Sequence, residues 1–83
     1  MRIIILPPTQ RDFRKLDREV AARLRQAILQ LADDPRPAGG LMLREWAFRA
    51  WRIRVGDWRV IYTIDDDAAL VTIVRILHRS KAY

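Results

Sequence analysis

Eighty-three residues with 51% hydrophobic content are enough to close one small core, so a single domain spanning residues 1–83 is expected. The chain has no cysteine and one histidine, His78, which excludes a disulfide framework, a cysteine-based zinc site, thiol catalysis and an all-histidine metal site. The formal net charge of +6 points to nucleic acid or an acidic protein partner. Fourteen of the sixteen basic residues are arginine, the better bidentate partner for phosphate, although a GC-rich genome enriches arginine as well. No apolar run approaches the ~20 residues of a membrane span. The apolar stretch in MRIIILPP falls short of the roughly 7–15 residues of a signal peptide. A cytoplasmic protein without membrane partners is therefore expected.

Arg2 to Leu6 reads as a short apolar strand stopped by Pro7-Pro8. Thr9, with Asp12 three residues on, resembles a helix N-cap. Apolar residues then fall at Phe13, Leu16, Val20, Leu24, Ile28 and Leu31, steps of three and four that describe one helical stripe. The run Leu16-Asp17-Arg18-Glu19-Val20 resembles the end of one helix and the capped start of another, so the stripe is either one helix or a helical hairpin broken near Leu16-Asp17. The cluster from Asp33 to Gly40 holds two prolines and two glycines, ending the helix and starting a loop. Leu41 to Ala47 shows no clear period; Leu41, Leu43 and Trp46 are expected to cover the core edge.

Phe48 to Val55 and Trp58 to Asp65 read as strands joined at Gly56-Asp57. A two-residue Gly-Asp connection between alternating runs is a strong hairpin signal, of type II′ or I′. A two-residue loop sets Val55 opposite Trp58, Arg54 opposite Arg59, Ile53 opposite Val60 and Arg52 opposite Ile61. Alternation then gathers Trp51, Ile53, Val55, Trp58, Val60 and Tyr62 on one face, and Arg52, Arg54 and Arg59 on the other. Like charges directly opposite each other destabilise a sheet. A fold selected only for stability would avoid this arrangement; a polyanion site explains it. Asp65 to Asp67 form a polar turn, Leu70 to Leu77 a further strand, and His78 to Tyr83 a tail.

The expected class is α+β. An N-terminal strand, one or two helices and a three-stranded antiparallel meander make a mostly antiparallel four-stranded sheet. Helices cover the tryptophan-bearing face and leave the arginine face open.

The chain carries no P-loop, no nucleophile elbow and no metal-ligand cluster, so no cofactor or metal is expected. The carboxylates sit in helix faces and turns, and Asp57 is most simply a turn residue. Arginine, histidine and tyrosine remain. These groups suit metal-free RNA cleavage, in which the substrate's 2′-hydroxyl is the nucleophile and the protein orients it and stabilises phosphoryl charge. Each has a structural alternative. Arg52 and Arg54 also fit an exposed face covered by a partner protein, Arg75 a snorkelling strand residue, His78 a structural ring and Tyr83 a core-edge aromatic. The three tryptophans fit the core, with Trp58, beside the turn, the best candidate to stack on a base.

The pattern WRIRVGDWRVIYTIDDD, followed by an apolar strand and HRSKAY, resembles the RelE/ParE superfamily of toxins from type II toxin–antitoxin systems. The resemblance extends over the initial strand and FRKLDREVAARLRQAILQLADDPRP. It implies a metal-independent endoribonuclease that cuts mRNA at the ribosomal A site and is neutralised by a cognate antitoxin. It also implies that the toxin–antitoxin complex binds operator DNA. By the same resemblance, Arg59, Arg79, Tyr83 and His78 are catalytic, while Arg52, Arg54, Trp58 and Lys81 bind RNA. The family pattern has lysines where Arg52 and Arg54 stand, which leaves the general acid and base open. ParE-like relatives share the fold but inhibit DNA gyrase, which is the alternative function.

Overall fold

The computed structural model describes residues 1–44 and 49–81. The elements are β1 (Arg2–Ile5), α1 (Pro7–Arg14), α2 (Arg18–Gln30), β2 (Leu41–Leu43), β3 (Ala50–Val55), β4 (Trp58–Asp65), β5 (Leu70–His78) and a 3-10 turn, η1 (Arg79–Lys81). One five-stranded sheet has the order β1-β5-β4-β3-β2, parallel between β1 and β5 and antiparallel elsewhere.

The expected α+β architecture is present, with five strands in place of four. The added strand is β2, which pairs Leu41 with Arg52 and Leu43 with Ala50. Three consecutive apolar residues have no alternation to reveal them; pairing with the outer edge of β3 makes them a strand. Trp46 and the Phe48 end of the expected hairpin strand lie outside the described residues.

The two helices pack on one face. Phe13, Leu24, Ile28 and Leu31 meet Ile53, Val60, Tyr62, Val71, Ile73 and Ile76 in the core. The helical break falls as expected, and the Asp17 carboxylate accepts from the Glu19 N–H at 3.2 Å. The start of α1 differs from expectation. It begins at Pro7 with Leu6 at the N-cap position, without a side-chain cap. Proline suits the first helical turn because its missing N–H needs no partner there, so Thr9 is free for another task.

That task is at a β-bulge. Tyr62 pairs with Ile73 and Ile61 with Arg75, leaving Val74 without a partner on β4. Thr9, fully buried, donates its hydroxyl hydrogen to the Val74 carbonyl at 2.8 Å. Thr9→Val keeps the shape and orphans that carbonyl, so it is expected to cost about 1–3 kcal/mol. Urea unfolding measures the loss.

The loop after α2 is tied down at two points. The Tyr62 hydroxyl donates to the Pro35 carbonyl at 2.7 Å. Arg36 lies over the Trp51 ring and forms a bidentate pair with Asp66, its shorter arm 2.7 Å. Burial, aided by Asp34, pushes the Tyr62 phenol up to about 12, and Arg36 opposes that shift. The folded state thus holds this proton more tightly than the unfolded chain. Its stabilisation is complete below the unfolded value near 10 and is lost as pH rises towards 12. Tyr62→Phe should flatten that alkaline loss, as thermal melts across this pH range will show.

Candidate functional site

The hairpin register matches the sequence reading at every position, including Arg54 opposite Arg59. Gly56 has φ +61, whereas Asp57 is not in the positive region, as a type II′ turn requires. A Cβ on Gly56 would also stand 3.2 Å from the Arg23 guanidinium.

Arg52, Arg54 and Arg59 share the face opposite the helices, but only Arg54 is exposed. Arg52 is 5% exposed and Arg59 8%, alongside buried Ala50 and Ile61. The expectation of an open face therefore fails for two of the three. Arginine stems cover apolar sheet surface readily, and alternation does not indicate whether the charged head emerges. Arg59 Nη1 donates to the Gly56 carbonyl at 3.0 Å and the Trp58 carbonyl at 2.9 Å, so the turn itself aims this guanidinium. Arg59 Nε, and Arg52 Nε and Nη1, are buried without a hydrogen-bond partner among the described residues. Buried guanidinium donors without acceptors are costly, so these two arginines burden the fold.

Arg79 reaches the rim of this face through the turn. Its backbone N–H donates to the Asp57 carbonyl at 2.7 Å, and its Nε lies 3.7 Å from the Asp57 carboxylate. Asp57 is thus the anchor of the C-terminal segment as well as a turn residue. Both side chains are exposed, and exposed pairs of this kind are weak. Arg79 can exchange its carboxylate for a phosphate at little cost.

His78 and Trp58 do not join the arginines. They are cross-strand partners on the helix-covered side, ring centroids 5.3 Å apart and planes at 87°. His78 Nδ1 accepts from the Ser80 N–H at 3.3 Å and lies 3.0 Å from the Ser80 hydroxyl. His78 thereby shapes the turn that carries Arg79. Lys81 is exposed at the end of η1. Tyr83 lies outside the described residues. Among the described residues no cluster of His, Cys, Asp or Glu is built to hold a metal, and no helix is long and apolar enough to cross a membrane.

One member of the face was missed. Arg75 lies opposite Ile61, which places it beyond Ile61 from Arg52. Strict alternation along β5 would put it with Val71 and Ile73 under the helices; the Val74 bulge reverses its side. The sequence signal was a charge in an otherwise apolar run, which snorkelling explained equally well.

The fold and this face define a class: a small α+β protein with arginines clustered on one face of its sheet. Comparison with known proteins narrows the class. Residues 3–83 match the family model for the ParE toxin of the type II toxin–antitoxin system, parDE. Toxin RelG of Mycobacterium tuberculosis is 36% identical over 75 residues, covering 89% of this chain and 85% of the relative. The toxin in the RelBE2 toxin–antitoxin complex of Mycobacterium tuberculosis superposes with a TM-score of 0.82 at 28% identity, over 93% of this chain and 95% of that one. The archaeal RelE–RelB complex from Pyrococcus horikoshii gives a TM-score of 0.84 at 22% identity, over 98% and 97%, a likeness of fold. The chain belongs to the RelE/ParE superfamily of toxins from type II toxin–antitoxin systems.

Proposed function

We propose that this toxin is an endoribonuclease that cuts mRNA in the ribosomal A site without a metal cofactor, in the cytoplasm, and that a cognate antitoxin silences it. The observation that carries the reading is the arginine face: Arg54 opposite Arg59, Arg52 buried with donors unpaired among the described residues, and Arg79 held at the rim by Asp57. Arginines held opposite each other cost the unliganded fold, and a phosphate bound at the exposed Arg54 and Arg79 would offset that cost.

In the proposed reaction the ribose 2′-oxygen forms a bond to the adjacent phosphorus as the bond from phosphorus to the 5′-oxygen breaks. One proton leaves the 2′-hydroxyl and one arrives at the leaving 5′-oxygen. Arg52, Arg54 and Arg59 hold the phosphate, with Arg59 already oriented by the two turn carbonyls. Arg79 meets the charge that grows on the phosphoryl oxygens. Arginines remain protonated, so proton transfer falls to another group. We assign removal of the 2′-hydroxyl proton to Tyr83, the tyrosine of HRSKAY, and delivery of the proton to the leaving 5′-oxygen to water. The structural role of His78 against Trp58 and Ser80 makes it a support for Arg79 in this scheme. The reading selects RNA over DNA because DNA lacks the nucleophile.

The antitoxin assignment rests on relatives crystallised as RelB–RelE complexes. An acidic antitoxin segment over the arginine face would block RNA by occupying the same donors. Operator binding by the joint complex follows the same analogy.

The ParE family match favours one alternative, a toxin that inhibits DNA gyrase. Inducing the wild type, Arg79→Ala and Tyr83→Phe separates the two. The nuclease reading expects growth arrest and broken mRNA with the wild type, and relief with both variants. Loss of plasmid supercoiling with intact mRNA, unchanged in the variants, would establish the alternative.

A further inference from the structure

We infer that Arg75 is an RNA-binding residue, contacting a backbone phosphate that flanks the scissile one. The inference rests on the RNA reading above and adds a residue and a direction to it.

Arg75 occupies a constructed position. Along β5, Val71 and Ile73 are buried in the core, and Arg75 would follow them there without the bulge. Val74 takes up the extra step, after which Arg75 pairs with Ile61 on the arginine face and Ile76 returns to the core opposite Val60. The buried Thr9 hydroxyl holds the freed Val74 carbonyl, so the side on which Arg75 emerges is fixed from beneath the sheet.

The position also has no structural use that the described residues reveal. Arg75 is exposed, and it makes no ion pair or side-chain hydrogen bond among them. It stands diagonal to Arg59, two residues along from Leu77, adding a further cation to a face that already carries like charges. Diagonal neighbours on a sheet are about 7–8 Å apart, close enough for repulsion and too far for one phosphate oxygen to serve both backbone positions.

The arginines therefore form two rows. Arg54 and Arg59 make the row beside the turn, with Arg79 at its rim. Arg52 and Arg75 make the second row, on either side of Ile61 and farther from the turn. From Arg75 to the end of β5 at His78 is three residues, about 10 Å of strand, and Arg79 follows in η1. A phosphate held at Arg59 and Arg79 leaves Arg75 free for the next part of the backbone, on the side away from Arg79. Arg75 thus binds the chain without touching the reacting atoms.

The test is single-turnover cleavage of mRNA on programmed ribosomes, with toxin concentration varied. Arg75→Ala should raise the half-saturating concentration about 5- to 20-fold, while the saturating rate stays within about two-fold of wild type. The rate is spared because this contact is equally strong in the bound ground state and the transition state, so its loss lowers affinity alone. The salt dependence of half-saturation should weaken by roughly 0.7 in logarithmic slope, one phosphate contact on a single strand. Arg75→Lys should retain most of the slope. Arg14→Ala, an exposed arginine on α1, should change neither quantity. Unchanged half-saturation in Arg75→Ala, or an equal effect from Arg14→Ala, would overturn the assignment while leaving the nuclease reading intact. Absence of cleavage by the wild type would overturn both.

Discussion

Arg52→Met is expected to make the protein more stable and less active. The Arg52 side chain is 5% exposed, and its Nε and Nη1 are buried without acceptors among the described residues. Methionine keeps the unbranched stem and removes the donors. Each buried donor left unsatisfied costs about 1–3 kcal/mol, so a gain of that order is expected, read as a higher urea midpoint with an unchanged slope. Activity should move in the opposite direction. A hydrogen bond to a charged phosphate contributes about 1.5–3 kcal/mol, so RNA cleavage should fall about 10- to 100-fold. Stability lost to an unsatisfied site and recovered when the site is disabled is the signature of strain kept for function. If Arg52→Met were destabilising, the guanidinium would have a structural role and the polyanion argument would lose its buried member.

Arg79→Ala is expected to separate activity from stability in another way. Arg79 and Asp57 side chains are 66% and 65% exposed and 3.7 Å apart, so the pair contributes little to folding. The unfolding free energy should therefore change by no more than about 0.5 kcal/mol, the range of ordinary surface substitutions. Cleavage at saturation should fall about 10²- to 10³-fold, as for removal of one donor aimed at developing oxyanion charge. Because the backbone N–H of Arg79 remains bonded to the Asp57 carbonyl, the C-terminal turn should keep its place in the variant. Asp57→Asn preserves that carbonyl and weakens only the ion pair, so its effect should be much smaller.

The two variants concern residues that were differently legible. The pairing of Arg54 with Arg59 followed from period two and a two-residue turn, since both fix register locally. Arg79 came into view through the resemblance of HRSKAY to a family motif; its anchor on Asp57 joins residues 22 positions apart and has no local signature. The burial of Arg52 and Arg59 was hidden because alternation assigns a face and does not say how deep a long side chain lies. Arg75 was hidden by a bulge, which reverses the parity on which such reading depends. Thr9 was placed at a helix start by its residue type, while two prolines ahead of it had removed the need for a cap. Strand β2 was too short to carry a period. In each case the local pattern was present and a tertiary contact decided its use.

In the proposed reaction the arginine face cuts RNA by directing the substrate's own 2′-hydroxyl. The most direct test uses ribosomes programmed with an mRNA in which the ribose at the mapped cleavage position carries hydrogen in place of that hydroxyl. Cleavage at that nucleotide should disappear, while the unmodified mRNA is cut and leaves a 2′,3′-cyclic phosphate end. Cutting of the deoxy-substituted mRNA at the same position would contradict the account.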